Sequence, residues 1–221
     1  MTTVDDPFAR LGARLKATRR RSKKTLREMA QEFNVSATFL SQLENGKSKP
    51  SVATLYALAR ALNVDMDSLL CPLESAEPEI SPVTPQNLGV KEQLKGLAGM
   101  SPDSRARIST TDATNRGILT LDSGVTWERL ATVTESGGHF VEIVYQPGAE
   151  TSADGELITH EGYEYGYALQ GNLEMTIGDF VFTLSQSHSF GFDSSIPHIF
   201  RNKGSVDFRG IWFVHDCKGR N

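Results

Sequence analysis

Thr25-Leu-Arg-Glu-Met-Ala-Gln-Glu-Phe-Asn-Val-Ser-Ala-Thr-Phe-Leu-Ser-Gln-Leu-Glu-Asn-Gly-Lys47 is the stretch that decides the first half of the chain. Thr25-x-x-Glu28 has the form of a capping box, in which the Thr hydroxyl and the Glu carboxylate each satisfy a free amide at a helix start. Leu26, Met29, Ala30 and Phe33 then fall on one helical face. Asn34 tolerates a left-handed turn, Val35 offers an apolar plug, and Ser36 can cap a second helix. That helix buries Phe39, Leu40 and Leu43 and ends at Asn45-Gly46, where glycine accepts the left-handed exit. Upstream, Phe8, Leu11 and Leu15 repeat at helical spacing ahead of the basic run Arg19-Arg20-Arg21-Ser-Lys-Lys24. Downstream, Pro50-Ser51 opens a helix with Leu55, Leu58, Ala59 and Leu62 inward, and Asp65 opens a last short one ending at Leu69-Leu70.

Once Phe39, Leu40 and Leu43 are buried, the second helix has Ser36, Ala37, Thr38, Ser41, Gln42 and Asn45 left over. All are small or polar, as a helix entering the major groove requires. Gln42 can pair both edges of an adenine, and Ala37 or the Thr38 methyl can touch thymine methyls. Arg27, Ser36, Asn45 and Lys47 are placed to hold phosphates, which sets register without reading bases. The charge distribution agrees. Residues 1–72 hold 12 Lys and Arg against 7 Asp and Glu, a balance of +5, while the remainder holds 11 against 20, or −9. A basic head on an acidic body fits a nucleic-acid module joined to something else.

These residues together, from Thr25-Leu-Arg-Glu-Met-Ala through Leu40-Ser-Gln-Leu-Glu-Asn-Gly-Lys47 to Leu62, resemble the lambda-repressor-like helix-turn-helix of the XRE family. The resemblance covers about residues 8–70. It implies an all-α bundle that binds a double-stranded DNA operator, and a structural pairing of Arg19 with Glu44 across helices.

The chain then changes character twice. From Cys71 to about Arg116, prolines at 72, 78, 82, 85 and 102 among many Ser, Thr and Glu mark a linker, with a helical turn or two expected over Val90 to Leu97. From Gly117 the pattern alternates: Val125–Leu130, Phe140–Tyr145, Tyr163–Leu169, Leu173–Ile177, Phe180–Leu184 and Phe208–Val214. Between them lie Pro147-Gly148, Gly171-Asn172 and Gly178-Asp179. Many short strands in about a hundred residues predict a sandwich or small barrel.

From Pro147-Gly148 to about Val214 the chain resembles the cupin family. His160-x3-Glu164-x6-Gly171 has the spacing of its first motif, and Pro197-His198-x3-Asn202 that of its second. Metal-binding cupins usually carry another His where Ile158 stands, and Ser187-His188 occupies the place of a frequent glycine-aspartate turn. The fold class expected is therefore α + β in two domains: an all-α helix-turn-helix bundle over residues 8–72 and an all-β cupin (jelly-roll barrel) sensor domain over 117–217, joined by a Pro-rich linker over 73–116. On one strand His160 and Glu164 would face the same side, and His198 from a later strand would complete a set of two His and one carboxylate. Such a set suits Fe, with Zn, Ni or Mn as alternatives for one divalent metal. The competing reading is a buried His–Glu hydrogen bond, or a pocket for an organic effector. His139 is expected at the surface; His188 and His215 line the barrel or face water. Tyr163, Tyr165 and Tyr167, of opposite parity to Glu164, are expected between sheets or at a subunit interface. Phe190, Phe192 and Phe200 are expected in the core.

Several classes drop out. There is no Gly-x-Ser-x-Gly and no phosphate-binding Gly-rich loop, and Cys71 has no basic neighbour to activate it. No apolar run approaches the ~20 residues of a membrane helix, and the N-terminus has no signal core. Two distant cysteines suggest no disulfide framework, so a cytoplasmic location is expected. The leading expectation is a transcription regulator, a homodimer or higher oligomer on a near-palindromic operator, whose barrel senses a small-molecule effector. The alternative is an iron enzyme resembling hydroxypropylphosphonate epoxidase, with His160, Glu164 and His198 holding the iron.

Overall fold

The computed structural model describes residues 7–33, 35–62, 111, 116–131, 138–152 and 154–215. The head is four helices: α1 (Pro7–Arg21), α2 (Leu26–Glu32), α3 (Ala37–Glu44) and α4 (Val52–Leu62). Its core is Leu11, Leu15, Met29, Leu40, Leu43, Leu55 and Leu58, each at most 1 % exposed. Both sides of the capping box at Thr25 form. Ser36 caps α3 by accepting the Phe39 N–H at 3.0 Å. Each cap is worth about 1 kcal/mol. At the far end of α3, Gly46 takes φ +65. Its N–H reaches Leu43 C=O at 3.0 Å, and the Lys47 N–H reaches Gln42 C=O at 2.8 Å. This pair of bonds closes the helix.

Gly12, which drew no attention in the sequence, sets the distance between α1 and α3. A Cβ there would strike the Leu43 carbonyl oxygen and stand 2.8 Å from the Glu44 carbonyl. The bare backbone lets the two helices touch, and the Arg19–Glu44 pair then crosses the same seam. Arg19 Nη2 donates to Glu44 Oε2 at 2.8 Å and Nε to Oε1 at 2.5 Å, with the Glu44 side chain 3 % exposed.

The second half folds as two antiparallel sheets. Its strands are β1 (Ile118–Thr120), β2 (Val125–Arg129), β3 (Gly138–Tyr145), β4 (Tyr163–Gln170), β5 (Asn172–Ile177), β6 (Phe180–Ser185), β7 (Ser189–Asp193), β8 (His198–Arg201) and β9 (Phe208–His215). One sheet runs β1-β2-β3-β9-β4-β7, the other β6-β5-β8. Alternation places Glu164, Gly166 and Ala168 of β4 and Phe208, Gly210, Trp212 and Val214 of β9 toward the interior. β8 is the later strand expected to carry His198, while β1 and β7, of 3 and 5 residues, show no period in the sequence.

The tyrosines do not pack between the sheets. Tyr163, Tyr165 and Tyr167 are 42–50 % exposed on the outer face of β4, beside Phe213 of β9, which pairs with Tyr165. His139 is not at the surface as expected: it is 8 % exposed, because β3 begins at Gly138 and lies between β2 and β9. His188 is exposed and Phe200 buried, while Phe190 and Phe192 are half-buried. The expected helix over Asp65–Leu70, the turns near Val90–Leu97 and both cysteines lie outside the described residues. Thr111 and Arg116 already bond to the barrel, through Leu130 C=O and through Glu128 and Glu142. No helix among the described residues is long and apolar enough to cross a membrane.

Head and barrel touch. The Asp122 N–H donates to Pro50 C=O at 3.2 Å, and the Ala53 N–H to Thr151 C=O at 3.3 Å.

Candidate nucleic-acid interface and metal centre

On α3 the side chains left out of the core form one face. Thr38, Gln42 and Asn45 are exposed at helical spacing, with Ser36 and Lys47 exposed at either end and Arg27 exposed on α2. Ala37 and Ser41 are half-buried, and Ala37 packs against the core. The Asn45 amide is committed to Ser41 C=O at 2.7 Å, which leaves its carbonyl oxygen outward. Ser36 Oγ accepts a cap bond, so its hydroxyl proton remains free to donate. On α3, Gln42 alone keeps both ends of its side-chain amide free of hydrogen bonds while exposed at mid-helix. That geometry is what bidentate base recognition needs.

In the barrel, His160, Glu164 and His198 come together. Their ligating atoms lie within 4.8 Å of one another. Glu164 projects inward from the large sheet and His198 from β8 of the small one, so the site spans the interior between them. His160 is not on a strand, as the even spacing had assumed. It lies in the loop before β4, and its N–H is pinned to Ser194 C=O at 3.1 Å. The loop, rather than strand parity, turns its ring toward Glu164. Ile158, which stands where a further His was expected, serves by backbone instead. It exchanges two hydrogen bonds of 2.9 Å with His198.

Both imidazoles have their tautomer set by a carbonyl, which can only accept. His198 Nδ1 donates to Ile196 C=O at 2.8 Å and His160 Nδ1 to Glu161 C=O at 3.2 Å. Both Nε2 atoms therefore aim at one carboxylate oxygen, Glu164 Oε1, from 3.3 Å and 2.8 Å. The other oxygen accepts the Trp212 indole N–H at 3.1 Å. His198 Nε2 is buried and has no hydrogen-bond partner. A lone pair facing a carboxylate oxygen is repulsive unless a proton or a cation lies between them.

Burial alone would push the Glu164 pKa up. With no cation in the site, hydrogen bonds from the facing Nε2 atoms of His160 and His198, each holding a proton where a cation would sit, outweigh that and bring it down to about 2. The carboxylate is thus charged across the neutral range. The remaining interior wall is aromatic: Phe192 meets His198 edge-on at 4.9 Å, and Phe190 lies 4.9 Å from Trp212.

Donors about 2.1 Å from a zinc-sized ion in tetrahedral array stand roughly 3.4 Å apart. The donor set, its fixed tautomers and the orphaned Nε2 fit a divalent metal. Asn202 is not part of it. Its amide bonds Tyr145 and Val206 carbonyls at 2.8 Å each, and its oxygen accepts the Gly204 N–H, so it pins a turn. Sequence reasoning missed Trp212, whose signal was its inward position in the alternation of β9. It also missed Tyr56, which carries no local signal at all.

Comparison with known proteins agrees with this division. Residues 15–69 match the helix-turn-helix family model and residues 141–214 the cupin domain model. Over 193 residues, 86 % of each chain, the sequence is 26 % identical to the HTH-type transcriptional regulator PuuR of Escherichia coli. It is 23 % identical to the HTH-type transcriptional regulator SutR of the same organism, over 91 % of this chain and 93 % of that one. A crystal structure of an HTH_3 family transcriptional regulator from Vibrio cholerae superposes over 95 % of this chain and 96 % of the other, with a TM-score of 0.58 and 18 % identity. That likeness is one of fold.

Proposed function

We propose that this transcription regulator, with its helix-turn-helix over residues 15–69 and its cupin domain over 141–214, reads an operator through α3 as a homodimer while its barrel senses an effector through a divalent metal. The observation that carries the metal is the buried, unpartnered Nε2 of His198 aimed at a charged carboxylate. His160, Glu164 and His198 would hold the ion and leave other positions open. An effector with an oxygen or nitrogen donor would enter there, against the aromatic wall of Phe190 and Phe192. A metal of the Fe, Zn, Ni or Mn group fits this mixture of imidazole and carboxylate. The setting for such a regulator is the cytoplasm.

The dimer is argued from both ends of the molecule. One recognition helix reads too few base pairs for useful specificity, so two heads are needed on a near-palindromic site. The exposed Tyr163, Tyr165 and Tyr167, with the half-buried Phe213 beside them, offer an aromatic sheet face of the kind that homodimer interfaces favour.

Operator recognition is tested by selecting bound duplexes from a random pool and comparing variants on the winner. Gln42→Ala is expected to lose ~1–3 kcal/mol on the selected site and to relax preference at one position. An equal loss on every sequence would refute base reading by Gln42. Lys47→Ala is expected to weaken all duplexes alike and to flatten the salt dependence by about one phosphate contact. An unchanged salt slope removes Lys47 from the phosphate contacts.

A further inference from the structure

The DNA-binding head supplies part of the wall of the barrel's site. Tyr56, on α4, lies flat on the His160 imidazole, with ring centroids 4.1 Å apart and planes 5° from parallel. Its ring also meets Trp127 of β2 at 6.3 Å, near edge-on. His160, unlike Glu164 and His198, does not lie on a strand. It sits in a loop, and its Nδ1 contact to the next residue's carbonyl is 3.2 Å, whereas His198 is fully buried in a strand and held at 2.8 Å. The two backbone bonds joining head and barrel, 3.2 Å and 3.3 Å, are at the long end for amides. The ring stack adds a side-chain contact to these two backbone bonds.

We propose that Tyr56 is a positioning residue for the barrel's site and the joint through which occupancy of that site reaches the DNA-binding head; this rests on the reading of His160, Glu164 and His198 as metal ligands. The stack holds the plane of the His160 ring and so the direction of its Nε2 lone pair. A cation on Nε2 draws electron density from the imidazole, and the electron-rich face of the phenol ring then attracts it more strongly. Metal binding therefore tightens the docking of α4. By reciprocity the docked α4 tightens metal binding by the same factor. α4 shares its core with α3 through Leu55, Leu58, Leu40 and Leu43. A displaced α4 carries the recognition helix with it. In a dimer whose heads must match half-sites about 34–36 Å apart, a small rotation at Tyr56 changes which operator spacing fits.

Two readouts on the same full-length protein test this. One is Co²⁺ affinity by titration. The other is the head-to-barrel distance between spin labels on Arg27→Cys and Lys203→Cys, with Cys71→Ser and Cys217→Ser as background. Tyr56→Ala and the bulk-preserving Tyr56→Leu are expected to weaken Co²⁺ about 10-fold, the scale of losing a group that orients a ligand, and to broaden the distance distribution. Tyr56→Phe keeps the stacked ring and is expected to lie closer to wild type than Tyr56→Leu does on both. Co²⁺ should narrow the distribution in wild type but not in the Leu variant. Wild-type affinity and an unchanged distribution in folded Tyr56→Leu would overturn the proposal. If wild type binds no Co²⁺, the ligand reading fails separately. The distance distribution then decides the joint: broadening in Tyr56→Leu keeps it, and no change removes it.

Discussion

A Glu164→Ala variant is expected to retain none of the divalent metal that wild-type protein carries at near-stoichiometric level when purified without chelators or a metal-affinity tag. The carboxylate is the one group both imidazoles face, at 2.8 Å and 3.3 Å, and the only negative charge among the three site residues. Removing it leaves two neutral donors and an indole N–H with no acceptor. Elemental analysis of the two proteins side by side checks this. Metal-free wild type, even after anaerobic loading with Fe²⁺, would leave the barrel as a pocket for an organic effector. Iron in the wild type calls for an oxygen-uptake assay, since two His and one carboxylate with open positions are also what iron oxygenases use. Oxygen uptake coupled to turnover of a substrate would move the assignment to the enzyme weighed from the sequence. Acid gives an independent check on metal-free protein. The Glu164 pKa is lowered in the folded state, to about 2, against about 4.3 unfolded. Its contribution to stability is therefore present above about pH 4.3 and is lost as pH falls toward 2. The Ala variant should lack that part of the acid transition.

Arg19→Ala is expected to destabilise the head by ~3–5 kcal/mol, because it leaves the Glu44 carboxylate buried without its cation. Glu44 is 3 % exposed at the side chain and Arg19 14 %, and the pair is bidentate. Screening by water offers little relief at that depth. The double variant Arg19→Met/Glu44→Leu should recover most of the loss, since replacing both partners by apolar groups is often neutral. Thermal melts of the three variants measure this. A single variant as stable as wild type would mean that water reaches Glu44. Operator affinity should fall with Arg19→Ala, because the pair ties α1 to α3 at the seam that Gly12 opens. It should return in the double variant.

The head was legible because its information is local. Thr25, Glu28, Ser36 and Gly46 each act within four residues, and the structure shows every one of those caps and exits. The exposed side of α3 followed by subtraction once Phe39, Leu40 and Leu43 were assigned inward. Gly12 was invisible for the opposite reason. It has meaning only against Leu43 and Glu44, some thirty residues on, and no period in the sequence marks it. In the barrel, the long alternating strands were legible, while β1 and β7 were too short for their period to stand out. His160 met Glu164 as the family spacing implied, though through a loop pinned by Ser194 rather than along a strand.

Local chemistry written in the chain determined the helix ends, the polar recognition face, the period of the long strands, and which three residue types are candidates for a metal. Tertiary structure alone decided that the Nε2 atoms of His160 and His198 converge on one oxygen of Glu164. It alone put Trp212 on the other oxygen and brought Tyr56 of the head onto His160. The reason is distance along the chain. Caps and periods act over a few residues, whereas these contacts join positions tens of residues apart, and only the closing of two sheets and the docking of α4 sets their separation.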